Sequence, residues 1–254
     1  NDVFVVDLDG AGNCQWNKRY GDGQSQSGGR IASDGTGNVT LVGSYFGAID
    51  FGAGQMLSPG LGGFLTKLDA TGAALWSKSF GGAQDMYPTA LGVDGAGDVL
   101  VGGLFAATID LGAGPVMTAG GSDAFVARYT STGGHVWSRR YGDPGEQRIN
   151  ALSVGPLGDV AVTGTFSGEI DFGSGALTSV GGIDIFAAVL DPSGAEVWSK
   201  RAGSTFDETP SAIDLGEDDV LVSGRFQSTV DFGGGPLTSA GDDDIFVAKL
   251  AAAP

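Results

Sequence analysis

Residues 64–80 read FLTKLDATGAALWSKSF, and the same 17-residue pattern returns at 4–20 (FVVDLDGAGNCQWNKRY), 125–141 (FVARYTSTGGHVWSRRY) and 186–202 (FAAVLDPSGAEVWSKRA). Each copy opens on Phe, alternates through β-rich residues, turns at a short polar segment and runs into a second strand around a Trp. That is the pattern of a β-hairpin. Trp16, Trp76, Trp137 and Trp198 stand 60, 61 and 61 residues apart. The tetrapeptides beginning at Ile49, Ile109, Ile170 and Val230 read IDFG, IDLG, IDFG and VDFG, at spacings of 60, 61 and 60. Phe4, Phe64, Phe125, Phe186 and Phe246 precede one strand type, and Phe46, Phe105, Phe166 and Phe226 close another. With Phe51, Phe172 and Phe232, these positions account for 12 of the 14 phenylalanines.

Outside the hairpins, each copy offers two more strands. A short one lies around Ile31, Leu91, Leu152 and Ile213. A tight turn leads from it into VTLVGSYF, VLVGGLF, VAVTGTF or VLVSGRF. Four antiparallel strands per copy, four times over, predict an all-β chain: a β-propeller of four blades of about 61 residues with an overlapping terminal strand. The expectation is a single domain over 1–254, with repeats at 1–61, 62–122, 123–183 and 184–244 and a closing strand at 245–250. A β-sandwich has no need of so regular a recurrence.

Composition narrows the function. The 254 residues hold 47 Gly, one Cys and one His, with 13 Lys and Arg against 30 Asp and Glu, a net charge of −17. A disulfide framework is impossible with Cys14 alone, and a Cys/His metal cluster nearly so. The acidity makes nucleic acid a poor partner, because phosphate binding needs clustered cations. Of the 30 acids 25 are Asp, whose short side chain suits turns. No apolar run approaches the ~18 residues of a membrane span. The first residues already read as strand, so an export signal is expected to lie outside this sequence.

The segments KLDATGAALWSKSFGG, ALGVDGAGDVLVGG and GGSDAFVARY resemble the bacterial β-propeller repeats called SBBP. LDATGAALW and LDPSGAEVW are also similar to the tryptophan-docking motif of quinoprotein (PQQ-type) propellers, with Asp69 to Trp76 one residue tighter than that motif. The resemblance spans all four repeats. It implies a large secreted or cell-surface bacterial protein, and tryptophans that dock neighbouring blades rather than stack on sugars. The quinoprotein cofactor site has no counterpart in these residues, and no cofactor is expected.

With the strands lettered A to D from axis to rim and the Trp strand as D, the A–B and C–D connections are the tight turns. The D–A and B–C connections are long and open on one face. The D–A loops run through Gly21–Gly29, Gly81–Pro88, Gly142–Arg148 and Gly203–Pro210, and the B–C loops carry the IDFG motifs. Loops on a rigid scaffold are where binding concentrates. Acids recur there. Nine residues after each Trp stand Ser25, Asp85, Glu146 and Asp207, and before strand C stand Asp2, Asp123, Asp184 and Asp244, with Gly62 breaking the series. Carboxylates are ligands for Ca²⁺, which makes Asp85, Glu146, Asp207, Asp123, Asp184 and Asp244 candidate metal ligands. The alternative is that they cap loops by accepting backbone N–H bonds.

Seven of the 13 cations follow the tryptophans: Lys18, Lys78, Arg139 and Lys200, then Arg19, Arg140 and Arg201. An ion pair repeated in each blade with the IDFG aspartates Asp50, Asp110, Asp171 and Asp231 is the simplest reading. Ala90, Ala151 and Ala212 suit a crowded axis, where Arg30 stands as the one anomaly. His135 lies in a turn region and is expected to be exposed, Cys14 to be buried or half-buried, and neither has a catalytic partner in sequence. The function expected is therefore non-catalytic: an extracellular or cell-surface scaffold that contacts a protein or extracellular polymer through its long-loop face. The alternative is a carbohydrate-binding, Ca²⁺-dependent propeller. Ring closure would pair the last C strand with the N-terminal Gln15–Tyr20. One C-type strand is then surplus: it frays, it self-associates by adding to the edge of a neighbouring molecule, or the chain is a piece of a larger ring.

Overall fold

The computed structural model describes residues 1–81 and 85–252, and throughout them the chain is all β, with every strand pairing antiparallel. β1 (Val3–Leu8) and β2 (Cys14–Tyr20) form a two-stranded sheet. β3 (Gln26–Ser33), β4 (Val39–Asp50), β5 (Gln55–Leu68) and β6 (Ala74–Phe80) follow as a four-stranded sheet in sequential order. β7 (Met86–Val93), β8 (Val99–Asp110), β9 (Pro115–Tyr129) and β10 (His135–Tyr141) repeat it. In the next copy β11 (Gln147–Val154) and β12 (Val160–Phe166) are followed by a small hairpin, β13 (Glu169–Asp171) with β14 (Ala176–Thr178). β15 (Asp184–Leu190) and β16 (Glu196–Ala202) then complete the sheet. The last sheet has three strands, β17 (Thr209–Leu215), β18 (Asp219–Phe226) and β21 (Asp244–Ala251). Its hairpin is β19 (Thr229–Val230) with β20 (Leu237–Thr238).

The repeats counted from the Phe strand are offset from these sheets by half a copy. Each repeat supplies the last strand pair of one sheet and the first pair of the next. The N-terminal Trp strand does not pair with β21, as ring closure would require; β2 pairs with β1, from Val3–Tyr20 to Leu8–Cys14. The physical reason is local. The Asp9–Asn13 turn closes a short hairpin, and short closures cost less entropy than joining the two ends of the chain.

The long B–C connections are also not loops. In the first two four-stranded sheets B and C run on past the sheet and pair to the tip, Asp50 facing Gln55 and Asp110 facing Pro115. In the other two, the same extension is the separate hairpin β13–β14 or β19–β20. The IDFG motif is its tip. Asp50 Oδ1 accepts the N–H groups of Gly52 and Gly54, and Asp110, Asp171 and Asp231 do the same with their own glycines.

Packing between sheets repeats a single solution. The Phe of β5, β9, β15 and β21 lies over a glycine of the neighbouring B strand. A Cβ at Gly43 would fall 2.7 Å from the Phe64 ring, and one at Gly164 would fall 2.6 Å from the Phe186 ring. The IDFG aromatic closes over the same Phe, with Phe51–Phe64 centroids 4.9 Å apart and Phe172–Phe186 5.1 Å. The opposite face of β1, β5, β9 and β15 meets the next sheet, so Leu65 shares a core with Phe125, Ala127 and Tyr129. β15, packed on both sides, is buried at every residue. The buried partner of the Phe105, Phe166 and Phe226 series is Tyr45 and not Phe46. Tyr45 pairs with Gln26 as Phe105 pairs with Met86, and Phe46 falls on the other, exposed face.

Candidate functional site

Each Trp reaches from its D strand to the segment that follows strand C of the next sheet. Trp16 Nε1 donates to Ala70 O at 2.9 Å, Trp76 to Ser131 O at 3.0 Å, Trp137 to Pro192 O at 2.9 Å and Trp198 to Ala252 O at 2.8 Å. The turn receives the indole on a glycine with positive φ: a Cβ at Gly194 would lie 2.8 Å from Trp137. The turn is held by its first residue. Asp69 Oδ1 accepts from Thr71 N, Ala73 N and the Thr71 hydroxyl, and these bonds hold its carboxyl below the usual range. The tryptophans are thus committed to joining sheets, Trp137 buried and Trp16, Trp76 and Trp198 half-buried.

The repeated ion pair exists, but its carboxylate is the aspartate before strand C. Arg19 pairs with Asp2 at 2.5 Å, Arg140 with Asp123 at 2.5 Å and Arg201 with Asp184 at 2.6 Å. In the sheet where Gly62 replaces that Asp, Ser79 replaces the Arg. The preceding residues, Lys18 and Arg139, donate to turn carbonyls of the next sheet, Gly72 O and Ser193 O. Sequence reading missed a second layer of buried charge on the tight-turn side. Lys67 pairs with Asp34 at 3.0 Å and reaches Gly97 O of the next sheet; Arg128 pairs with Asp94 and Asp98 and reaches Gly158 O. The recurring Asp at the A–B turn was the available signal.

The candidate metal ligands fall in two groups. Asp123 and Asp184 are fully buried beneath their arginines, and Asp244 accepts the N–H of Ala240. Asp85, Glu146 and Asp207 are exposed on the D–A loops. Glu146 accepts the Ser122 hydroxyl and Asp207 the N–H of Ile183, each tying the loop to the sheet before it. Among the described residues no three Asp, Glu, His or Cys side chains converge as a metal site. His135 is half-buried, bonded to Ser138 Oγ at 3.1 Å with its ring against Tyr129, and Cys14 is exposed. The expected burial of Cys14 fails because β2 is an edge strand, exposed along most of its length.

The D–A loops and the IDFG hairpins meet at one end of the sheets. Asp22 accepts from Gln24 N and Gln26 Nε2 within its loop and from Ala48 N at the hairpin base; Asp143 repeats this with Gly145, Gln147 and Glu169. In the last sheet the charge has moved. Ser204 stands in place of the Asp, and Glu208 in place of the Gln, accepting from Ser204 N at 3.1 Å and Ser204 Oγ at 2.6 Å. Glu208 is fully buried, and burial, with Asp184 and Asp207 nearby, pushes its carboxyl above the usual range.

A cavity of about 790 Å³ opens on this face between the last three sheets. Glu146, Asp207 and Glu208 bring acid to it, Arg148 and Arg225 bring charge of the opposite sign, and Phe206, 51% exposed, supplies an apolar wall. Among these, Glu146 and Asp207 were legible as loop acids, whereas Arg148, Glu208 and Arg225 were not. They sit at strand ends in positions where the other copies carry different residues. No protein-family model matches the chain, and no curated protein shows significant similarity to it.

Proposed function

We propose that the chain is a propeller-type array of SBBP character that serves as a non-catalytic interaction scaffold, outside the cell or at its surface. Its long-loop face engages a protein or extracellular polymer. The observation that carries this reading is the 790 Å³ cavity, which opens where the D–A loops gather. Its lining mixes carboxylates, guanidinium groups, amides and hydroxyls around a single exposed aromatic, the chemistry of a polar ligand held by many hydrogen bonds. The propeller arrangement is supported by the inner strands β3, β7, β11 and β17, which pack in that order and border a common central cavity. The scaffold reading is favoured over catalysis by the disposition of the histidine. His135 and Ser138 touch, but neither borders either cavity. The repeated aromatics that a one-site-per-blade lectin would display are instead in the core, since Phe51 and Phe172 are buried.

The test is retention on immobilised acidic and neutral polysaccharides, a fibrillar matrix protein and a glycan array. Saturable binding to one of these is expected, lost on Phe206→Ala together with Glu146→Gln and retained in Tyr87→Ala, an exposed aromatic of β7 outside the cavity. Binding that survives the double variant would overturn the assignment to this cavity. A glycan ligand dependent on Phe206 would select the carbohydrate reading over the protein one.

A further inference from the structure

Each inner strand carries one β-bulge at the same place. The ladder to the neighbouring strand slips between Gly28 and Arg30, Pro88 and Ala90, Ile149 and Ala151, and Pro210 and Ala212. The extra residues are Gly29, Thr89, Asn150 and Ser211, and a bulge re-aims the side chain it carries. All four border one cavity of about 260 Å³, which therefore lies where the inner strands converge.

Two arginines border the same cavity, Arg30 and Arg148, and no carboxylate does. The chain has eight arginines. Six are committed: Arg19, Arg128, Arg140, Arg201 and Arg225 pair with aspartates, and Arg139 donates to Ser193 O. Among the described residues Arg30 and Arg148 make neither kind of contact. In a chain of net charge −17, the two uncompensated guanidinium groups thus face one space. Asn150 is uncommitted as well. Its Oδ1 is buried without a partner, so nothing in the protein fixes which end of the amide faces the cavity. Guanidinium groups recognise planar and tetrahedral oxyanions through paired N–H donors.

We propose that this axial cavity binds an oxyanion, a carboxylate or sulfate group, held by Arg30 and Arg148 with Asn150 and Ser211 as neutral donors. Arg30, out of place among small residues in a crowded inner strand, acquires a role. The inference stands on the axial cavity and not on the scaffold reading, although Arg148 and Asn150 also border the larger cavity. An anionic group at the axis is either a free ion or the acidic end of a larger ligand.

Thermal shift and titration calorimetry test it, with sulfate, acetate and citrate compared against chloride at constant ionic strength. A saturable rise in melting temperature with at least one oxyanion is expected. Arg30→Gln and Arg148→Gln should each weaken binding on the order of tenfold, and the double variant should abolish it. Neither arginine is paired in the protein, so the unliganded melting temperatures should stay level or rise. Lys200→Gln, on an outer strand, should bind as the parent does. A free ion gives the full effect with sulfate alone, whereas the end of a larger ligand gives a stronger effect with citrate than with acetate. No saturable effect from any oxyanion, or an undiminished effect in the double variant, would overturn the proposal. So would dependence on Arg148 without Arg30, which would move the anion to the loop-face cavity. Phe206→Ala with Glu146→Gln should leave the anion titration unchanged, which separates this site from the polymer site.

Discussion

Glu208 shows how one side chain can set a pH response. In two other copies its place is taken by Gln26 and Gln147, neutral amides that donate to a loop aspartate. Exchanging Gln for Glu and Asp for Ser204 conserves the hydrogen bond but buries a carboxyl beside Asp184, which is also fully buried. The folded-state pKa is therefore raised above the ordinary glutamate value of about 4.3. A raised acid contributes stability that is present below the unfolded pKa and is lost as pH rises through the folded one. Glu208→Gln should then melt with the parent near pH 4 and above it at pH 7 to 8, with the gap widening as pH rises. Chemical melts across that range check this; a gap that narrows with rising pH would show that Glu208 is better accommodated charged. The sequence disclosed the substitution but not its consequence, because the proximity of positions 184 and 208 arises only when strand C and the D–A loop share an end of the sheet.

The hairpins were legible because everything that defines them is local: an Asp or Thr opening the turn, a glycine three residues on, alternating strands on both sides. The IDFG segment was not, because its glycine density reads as loop. Only the pairing of Asp50 with Gln55 reveals a tip in which the aspartate caps two glycine amides. The ion pair was likewise read with the right period and the wrong acid. Period alone cannot separate two aspartates that recur at the same interval. The two roles predict different costs within one sheet. Asp123→Asn removes the charge that Arg140 faces and leaves the buried Asp123 position with a neutral amide, which should cost ~1.5–3 kcal/mol. Asp110→Asn keeps an oxygen for Gly112 and Gly114 at an exposed tip, and should change stability by less than about 0.5 kcal/mol. Urea melts of the two variants decide between the assignments, and equal costs would contradict the geometry. The cavities lay further from reach, since the positions of Arg148, Asn150 and Phe206 hold other residue types in the other copies and meet only through the convergence of three sheets.

Across the whole molecule, a residue's worth depends on its place in the array as much as on its place in the repeat. The face of each C strand that carries the Phe packs against the preceding sheet. Phe64, Phe125 and Phe186 are 0% exposed and Phe246 is 2%, while Phe4 in the equivalent position is 74% exposed. At the other end the face turned toward a following sheet is open. Ile245 is 84% exposed where Ile185 is 0%. Five sequence-equivalent phenylalanines thus occupy two environments. Truncating a buried one removes a ring that fills the space above a B-strand glycine, and no side chain there can close the gap. Phe186→Ala should therefore cost ~3–5 kcal/mol, and Phe4→Ala less than about 0.5 kcal/mol. Denaturant unfolding of the five alanine variants makes the comparison, with Phe64, Phe125 and Phe246 expected to follow Phe186. Position in the repeat would predict five equal losses, whereas position in the array predicts four losses and one silence. Should Phe4→Ala prove as costly as Phe186→Ala, the open face of β1 must be covered in solution, and the array would extend beyond the sheets seen in a single chain.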